Sequence, residues 1–136
     1  MITSSEFSQF LQRKNISMEE IHEEDGFVFF RRREAIENGG NVLLIVAFNE
    51  SSIDFRVYDI ADIQNPLKKE AALQLINELN MTYRYSKFTI NEGRIDLSYS
   101  LSKHFPADAQ DLFDILVMLL DCASDTYPKF MKVQWS

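Results

Sequence analysis

Cysteine, histidine, proline and glycine are all scarce in this chain of 136 residues, which has one cysteine, two histidines, three prolines and four glycines. One cysteine excludes an internal disulfide, and Cys122, in an apolar helical run, is expected to be a small core residue. His22 and His104 lack the spacing of zinc ligands. The glycines form no phosphate-binding loop, and no serine lies in a nucleophile elbow. We therefore expect no enzyme activity, no metal and no cofactor.

Positive charge and long apolar runs are also scarce. Lys and Arg number 14 against 21 Asp and Glu, and the formal net charge is −7. Nucleic acids and anionic membranes bind clustered cations, so this balance argues against both and favours a basic or amphipathic protein partner. The longest apolar runs, residues 42–48 and 115–120, are far below the roughly 20 residues of a membrane span. With no signal-peptide pattern, we expect a cytoplasmic protein.

Capping residues mark two helix starts. Thr3 begins a capping-box pattern, which predicts a helix over residues 4–14. Asn65 is a favourable N-cap, and the proline after it loses no hydrogen bond, so a helix is predicted over residues 66–80. The apolar arc of this second helix is wider than packing on one sheet requires, and Leu73 lies at its margin. Leu73 either contacts a partner or packs in a core that wraps around the helix.

A third helix is predicted to open at Pro106 or Asp108 and to end near Asp125. Apolar residues cover well over half of its circumference, so most of it should be buried. Pro128 is expected to interrupt it, because proline lacks an N–H and its ring clashes with the preceding turn. The tail that follows, residues 129–136, carries Trp135, an apolar group that needs cover from the domain or from a partner.

Five segments have strand patterns, namely residues 26–34, 42–48, 53–58, 83–90 and 94–101. Residues 42–48 are apolar at every position, as expected for a central strand, and residues 27–30 predict cover on both faces of the first strand. Asn38 to Asn41 and Gly93 carry hairpin signals. The acidic residues 17–25 are interpreted as a solvated connection. The prediction is one two-layer α+β domain with an antiparallel five-stranded sheet, in the order α-β-β-β-α-β-β-α.

Charged clusters supply the candidate binding residues. Four aspartates lie along one strip of the last helix, Asp111, Asp114, Asp121 and Asp125. They extend over more than two turns and cannot share one metal ion, so a solvated face is the simplest interpretation. Met118 interrupts the strip, and an apolar spot rimmed by Asp114 and Asp121 suits a basic, amphipathic peptide. Together with Leu73 and Trp135, these three are the candidate partner-binding residues.

The one dense cationic run is formed by Arg31, Arg32 and Arg33. Five acids lie just upstream, at Glu19, Glu20, Glu23, Glu24 and Asp25. We therefore interpret the run as charge pairing on an edge strand rather than as a phosphate site.

Residues 69–88 carry a family resemblance. The segments KEAALQLINELN, residues 69–80, and YRYSKF, residues 83–88, resemble the YbjN family of bacterial sensory transduction regulators. That family places an Ile-Asn-Glu-Leu-Asn segment before a Tyr-x-aromatic-x-Lys-Phe strand, and Ser86 replaces the glycine expected here. The resemblance implies a fold like that of the type III secretion chaperones, which are small, acidic and usually dimeric. It implies binding rather than chemistry.

Two functions follow. The first is a non-enzymatic protein-binding module, chaperone-like or regulatory, that acts as a homodimer. The alternative is a small-ligand-binding protein or enzyme with a pocket between sheet and helices, where Tyr58, Tyr83 or Tyr99 orients the ligand.

Overall fold

Three α-helices and one antiparallel sheet of six strands make up the described part of the chain. The computed structural model describes residues 2–136, and for Asn38 it describes the backbone alone. The helices are α1, Ser4–Arg13, α2, Lys69–Thr82, and α3, Ala109–Trp135. The strands are β1, Glu19–His22, β2, Val28–Ala35, β3, Asn41–Phe48, β4, Ser52–Asp62, β5, Lys87–Asn91, and β6, Arg94–Ser102. The predicted α+β class is confirmed.

The prediction of five strands was wrong, because residues 17–25 contain the edge strand β1. It pairs antiparallel with β2, and Glu19 lies opposite Arg31. Glu19 Oε2 lies 2.8 Å from Arg31 Nε, and the hydrogen bond from this guanidinium lowers the pKa of Glu19. Short, charged edge strands resist aggregation, but they lack the apolar alternation by which strands are recognised. The arginine run is paired with carboxylates as expected, but only Arg31 pairs with an upstream acid, since Arg32 pairs with Glu34 and Arg33 with Asp59. Strand β2 is the second strand rather than the edge.

The core lies on one face of the sheet, whose strand order is β1-β2-β3-β4-β6-β5. All three described helices pack on this face. Phe7 of α1 meets Phe30 of β2 edge-on, with ring centroids 5.1 Å apart. Phe130 of α3 lies 5.6 Å from Phe88 of β5. Ile76 of α2 is also buried in this cluster. The opposite face of the sheet has no helix over it among the described residues.

Helix α3 continues ten residues past its predicted end, and Pro128 lies inside it. Two contacts outweigh the lost backbone hydrogen bond. Phe130, beyond the proline, is fully buried, so ending the helix early would expose it. Lys68 Nζ donates to the Gln134 carbonyl oxygen at 2.6 Å, which satisfies an acceptor at the helix end. Trp135 is therefore the last helical residue rather than part of an irregular tail.

The remaining boundaries shift by a few residues. Asn65 accepts from the Leu67 N–H at 3.0 Å, as an N-cap does, but a 3₁₀ turn, Pro66–Lys68, precedes α2. Gly93 takes a φ of 85° in the β5–β6 turn, as predicted. Strand β4 extends to Asp62 through a bulge between Val57 and Ala61, which the sequence pattern did not reveal.

Candidate functional site

Three of the five predicted partner-binding residues come together beside α3. Asp114, Met118 and Asp121 line an open groove of about 520 Å³ between this helix and residues 83–86. The described residues that line it are Tyr83, Arg84, Tyr85, Ser86, Asp114, Val117, Met118, Asp121, Cys122 and Asp125. We call this surface the α3 groove.

One wall is a single face of α3, because its residues recur at intervals of three and four. On the other side of the helix, Leu112, Leu116 and Leu119 are buried in the core and determine how the helix is rotated. Val117 and Met118 remain 41% and 36% exposed. They form an apolar ridge between the aspartates, as the sequence spacing indicated for Met118.

Asp111 lies outside the groove, although it belongs to the same predicted strip. It closes a capping box at the start of α3, where the Asp111 N–H donates to Asp108 Oδ1 at 2.9 Å. In return, the Asp108 N–H donates to Asp111 Oδ2 at 3.0 Å. Its carboxylate is therefore used by the helix start. Among the described residues, no group of three or more His, Cys, Asp or Glu side chains is arranged to hold a metal ion.

The other wall, residues 83–86, is anchored by Asn80 at the end of α2. The Phe88 N–H donates to Asn80 Oδ1 at 2.7 Å, and Asn80 Nδ2 donates to the Phe88 carbonyl oxygen at 3.0 Å. One amide thus satisfies both free backbone groups of Phe88 on the edge strand β5. The Tyr83 ring packs edge-on against Phe88 at 6.2 Å. Tyr85, 70% exposed, is left free to face the groove.

The electrostatic character of the α3 groove is acidic. Asp114, Asp121 and Asp125 lie along α3, and Arg84 is the single cation among the described lining residues. Gln110 Nε2 donates to Asp114 Oδ1 at 2.9 Å, which leaves the second carboxylate oxygen available to a ligand. The combination of an apolar ridge and carboxylates matches a segment that carries apolar and basic residues on one side.

Cys122 lies at the base of the groove, and its thiol is protonated at neutral pH. Burial raises the pKa of the thiol to about 11, although the contact of Ser86 Oγ with Cys122 Sγ at 3.9 Å acts in the opposite direction. Burial, and then the charges of Cys122 and Asp125, also raise the pKa of Tyr83. Both groups are therefore neutral at neutral pH. The prediction that Cys122 is a core residue is confirmed by its burial.

The other two candidate residues lie elsewhere. Leu73 is on the outer side of α2 and is 44% exposed, so it does not pack in the core. Trp135 is 75% exposed and borders a separate depression of about 580 Å³, near Arg94 and Tyr127. The sequence left open whether the domain covers Leu73 and Trp135, and the structure leaves both exposed, on surfaces separate from the α3 groove.

The three tyrosines of the alternative function do not converge. Tyr58 lies opposite Leu43 on the face of the sheet away from the helices. Tyr83 borders the α3 groove, and Tyr99 packs edge-on against Phe55 with centroids 5.9 Å apart. Of the three alternatives, only Tyr83 therefore borders the α3 groove.

The sequence did not predict that residues 83–86 form a wall of the α3 groove, because their pattern assigned them to a strand. The change of apolar parity between Tyr85 and Phe88 was the available signal, and it marks the start of β5 at Lys87. Arg84 and Tyr85 are therefore in an irregular link beside α3 rather than in the sheet.

In the described part of the chain, none of the helices combines the length and the hydropathy that crossing a bilayer requires.

Comparison with known proteins assigns this chain to no family. The chain matches no family model and no curated protein with which it was compared, and its resemblance to the YbjN family stays a prediction.

Proposed function

We propose that the protein is a non-enzymatic protein-binding module, chaperone-like or regulatory, that binds a basic, amphipathic segment of a partner protein in the α3 groove. One observation carries the proposal: Val117, Met118 and Tyr85 are exposed together, and three aspartates border them with one arginine. An apolar surface bordered by a polar rim is the arrangement of protein interfaces. A helical segment with Lys or Arg beside its apolar stripe fits both features.

A second depression extends this surface across α3. It measures about 200 Å³ and is mostly apolar, with Met18, Phe113 and Leu120 among its lining residues. Val117 borders both depressions and so forms the ridge between them. A partner segment in the α3 groove can therefore continue over Val117, which increases the apolar area that it buries.

Homodimerisation in the cytoplasm and membership of the YbjN family belong to the same proposal. Apolar residues that the fold leaves uncovered, on the helices and on the far face of the sheet, support association. The resemblance of residues 69–88 supports a chaperone-like module, and within it Asn80 has the structural task of anchoring the groove wall.

Fluorescence anisotropy with a labelled synthetic Leu/Lys amphipathic helix tests the groove. Met118→Ala should weaken binding about tenfold, since truncating an apolar residue at the centre of an interface typically costs more than 1 kcal/mol. The double change Asp114→Asn and Asp121→Asn should weaken it about fivefold, because each exposed ion pair contributes up to about 1 kcal/mol. A Leu/Glu helix of the same pattern should not bind.

The matched control is Glu24→Gln with Glu50→Gln, which changes the net charge by the same amount. Both glutamates are exposed and, among the contacts of the described residues, form no hydrogen bond or ion pair. The control should bind like the wild type. Equal weakening in both double variants would mean that only the net charge attracts the peptide, and it would remove the α3 groove from the proposal.

A further inference from the structure

The uncovered face of the sheet carries an apolar patch that the fold itself does not use. In β3 the residues Val42, Leu44, Val46 and Phe48 are buried under the helices, whereas Leu43, Ile45 and Ala47 point to the other side. The patch consists of Ile21, Phe29, Leu43, Ile45, Ala47 and Tyr58. All six are half-buried by their strand neighbours, and none belongs to the hydrophobic core or packs against it.

Strand register makes these six residues contiguous. Phe29 lies between Ile21 on one side and Ala47 on the other, and Leu43 lies opposite Tyr58. An antiparallel sheet with one wet face normally alternates apolar and polar residues. Strand β6 does so, with Ser98 and Ser100 on the open face, whereas β3 is apolar at every position from Val42 to Phe48. The sequence of β3 is therefore that of a strand covered on both faces.

The charges on this face cancel. Glu19 pairs with Arg31 at 2.8 Å, and Asp59 pairs with Arg33 at 3.3 Å. Arg56 and Lys87 are also on this side, as are Asp54 and Asp96, so these cations and carboxylates are equal in number, and the opposed pair Asp62 and Arg94 at the end of β4 and β6 adds no net charge. The chain as a whole has a net charge of −7, and all of that excess lies elsewhere. A second copy of the chain is repelled by most of the surface but not by this face.

Edge-to-edge pairing of two sheets is disfavoured at both ends. Strand β1 has four residues and carries Glu19 and Glu20. At the other edge, the free N–H and carbonyl of Phe88 are already bonded to Asn80. Two copies thus have a neutral, apolar face available for association, while pairing at the sheet edges is disfavoured.

We infer that the uncovered sheet face, centred on Ile45, is where two copies of this chain associate. The inference rests on the homodimer in the proposed function and assigns its interface. A twofold dimer joins the same patch of both subunits, and a neutral patch that contains both signs of charge can complement itself. At about 3.4 Å per residue and about 4.8 Å between strands, the face covers roughly 700 Å² in projection. A standard interface buries about 800 Å² per partner.

Light scattering and sedimentation equilibrium at micromolar concentration test the interface. The wild type should have twice the chain mass of 15.9 kDa. The double change Leu43→Glu and Ile45→Glu should raise the dissociation constant about 100-fold or more and give single chains, since like charges then face each other. Within one subunit the change is tolerated, because position 45 lies between Arg31 and Arg56 and position 43 lies beside Arg33.

Three further measurements make the result decisive. The double change Leu43→Thr and Ile45→Thr keeps strand-forming residues and should also dissociate the dimer. It tests the interface even if the two glutamates impair folding. Leu73→Asp, on the helical side, should leave the dimer intact. The Leu/Lys helix should still bind the sheet variants, because the α3 groove lies on the opposite layer.

A wild-type monomer would overturn the interface and the homodimer together, whereas peptide binding would be judged separately. A dimer that survives both sheet variants, or that Leu73→Asp dissociates, would overturn the interface alone.

Discussion

Replacing Asn80 by alanine tests whether one side chain connects α2 to the sheet and holds the wall of the α3 groove. Its amide forms two hydrogen bonds, at 2.7 and 3.0 Å, with the N–H and the carbonyl of Phe88. Each hydrogen bond contributes about 1 kcal/mol net to stability. The loss should therefore lower the free energy of unfolding by about 2 kcal/mol.

Asn77→Ala is the matched control. Asn77 lies one turn earlier on α2, and its described side-chain contact is a weak one to the Met81 sulfur at 3.9 Å. Alanine has a higher helix propensity than asparagine, so each substitution should stabilise α2 by a similar amount, about 0.5 kcal/mol. The difference between the two variants therefore isolates the hydrogen bonds to Phe88.

Urea unfolding followed by circular dichroism measures this difference. For a domain of this size the free energy falls by about 2 kcal/mol per molar urea, so Asn80→Ala should unfold about 1 M earlier than Asn77→Ala. All variants are compared at one protein concentration, because association raises the apparent stability. Hydrogen exchange at residues 83–88 should accelerate in Asn80→Ala. Midpoints of the two variants within about 0.3 M, with unchanged exchange, would refute the assigned role of Asn80.

Two further predictions concern α3. Burial raises the pKa of the Cys122 thiol from its ordinary value of 9.0 to about 11. The folded state favours the neutral thiol. Its contribution to the free energy of unfolding is therefore complete below about pH 9 and is lost as the pH rises to about 11. Unfolding of Cys122→Ala should therefore depend less on pH in this window, and an identical pH dependence would contradict the assignment. Pro128→Ala restores a backbone donor in the interior of α3 and should raise the free energy of unfolding by about 2 kcal/mol in urea titrations. An unchanged midpoint would show that the helix has already relieved the strain of the proline.

Much of the fold was predictable where local interactions decide it. The capping box of Thr3 and Glu6 starts α1 as expected, with the Glu6 N–H donating to Thr3 Oγ1 at 3.2 Å. The strand pattern of residues 94–101 correctly predicted β6, in which Ile95 and Leu97 are buried. These features were predictable because a cap involves residues three positions apart and alternation follows from the geometry of one strand.

The errors occur where residues distant in sequence decide the structure. Strand β1 exists because β2 offers backbone partners and Arg31 offers a cation to Glu19. Helix α3 passes Pro128 because Phe130 is needed in the core against Phe88. Both contacts join residues that are distant in the chain. Local propensity alone favours a loop where β1 lies and a helix end before Pro128.

One part of the candidate site was also predictable from the sequence, and the other part was not. Helical spacing was sufficient to place Asp114, Met118 and Asp121 on one face of α3. The opposing wall, with Arg84 and Tyr85, was not predictable, since it depends on the docking of the end of α2 on the edge strand.

By itself, the sequence determined the class of fold, the acidic balance and the position of Met118 between the aspartates of α3, because these depend on composition and on periodicity within one element. The tertiary structure alone decided that the helices cover one face of the sheet and leave Ile45 on the other. An apolar strand has the same sequence pattern whether its second face is covered by the same chain or by another. Only the placement of the helices distinguishes the two cases.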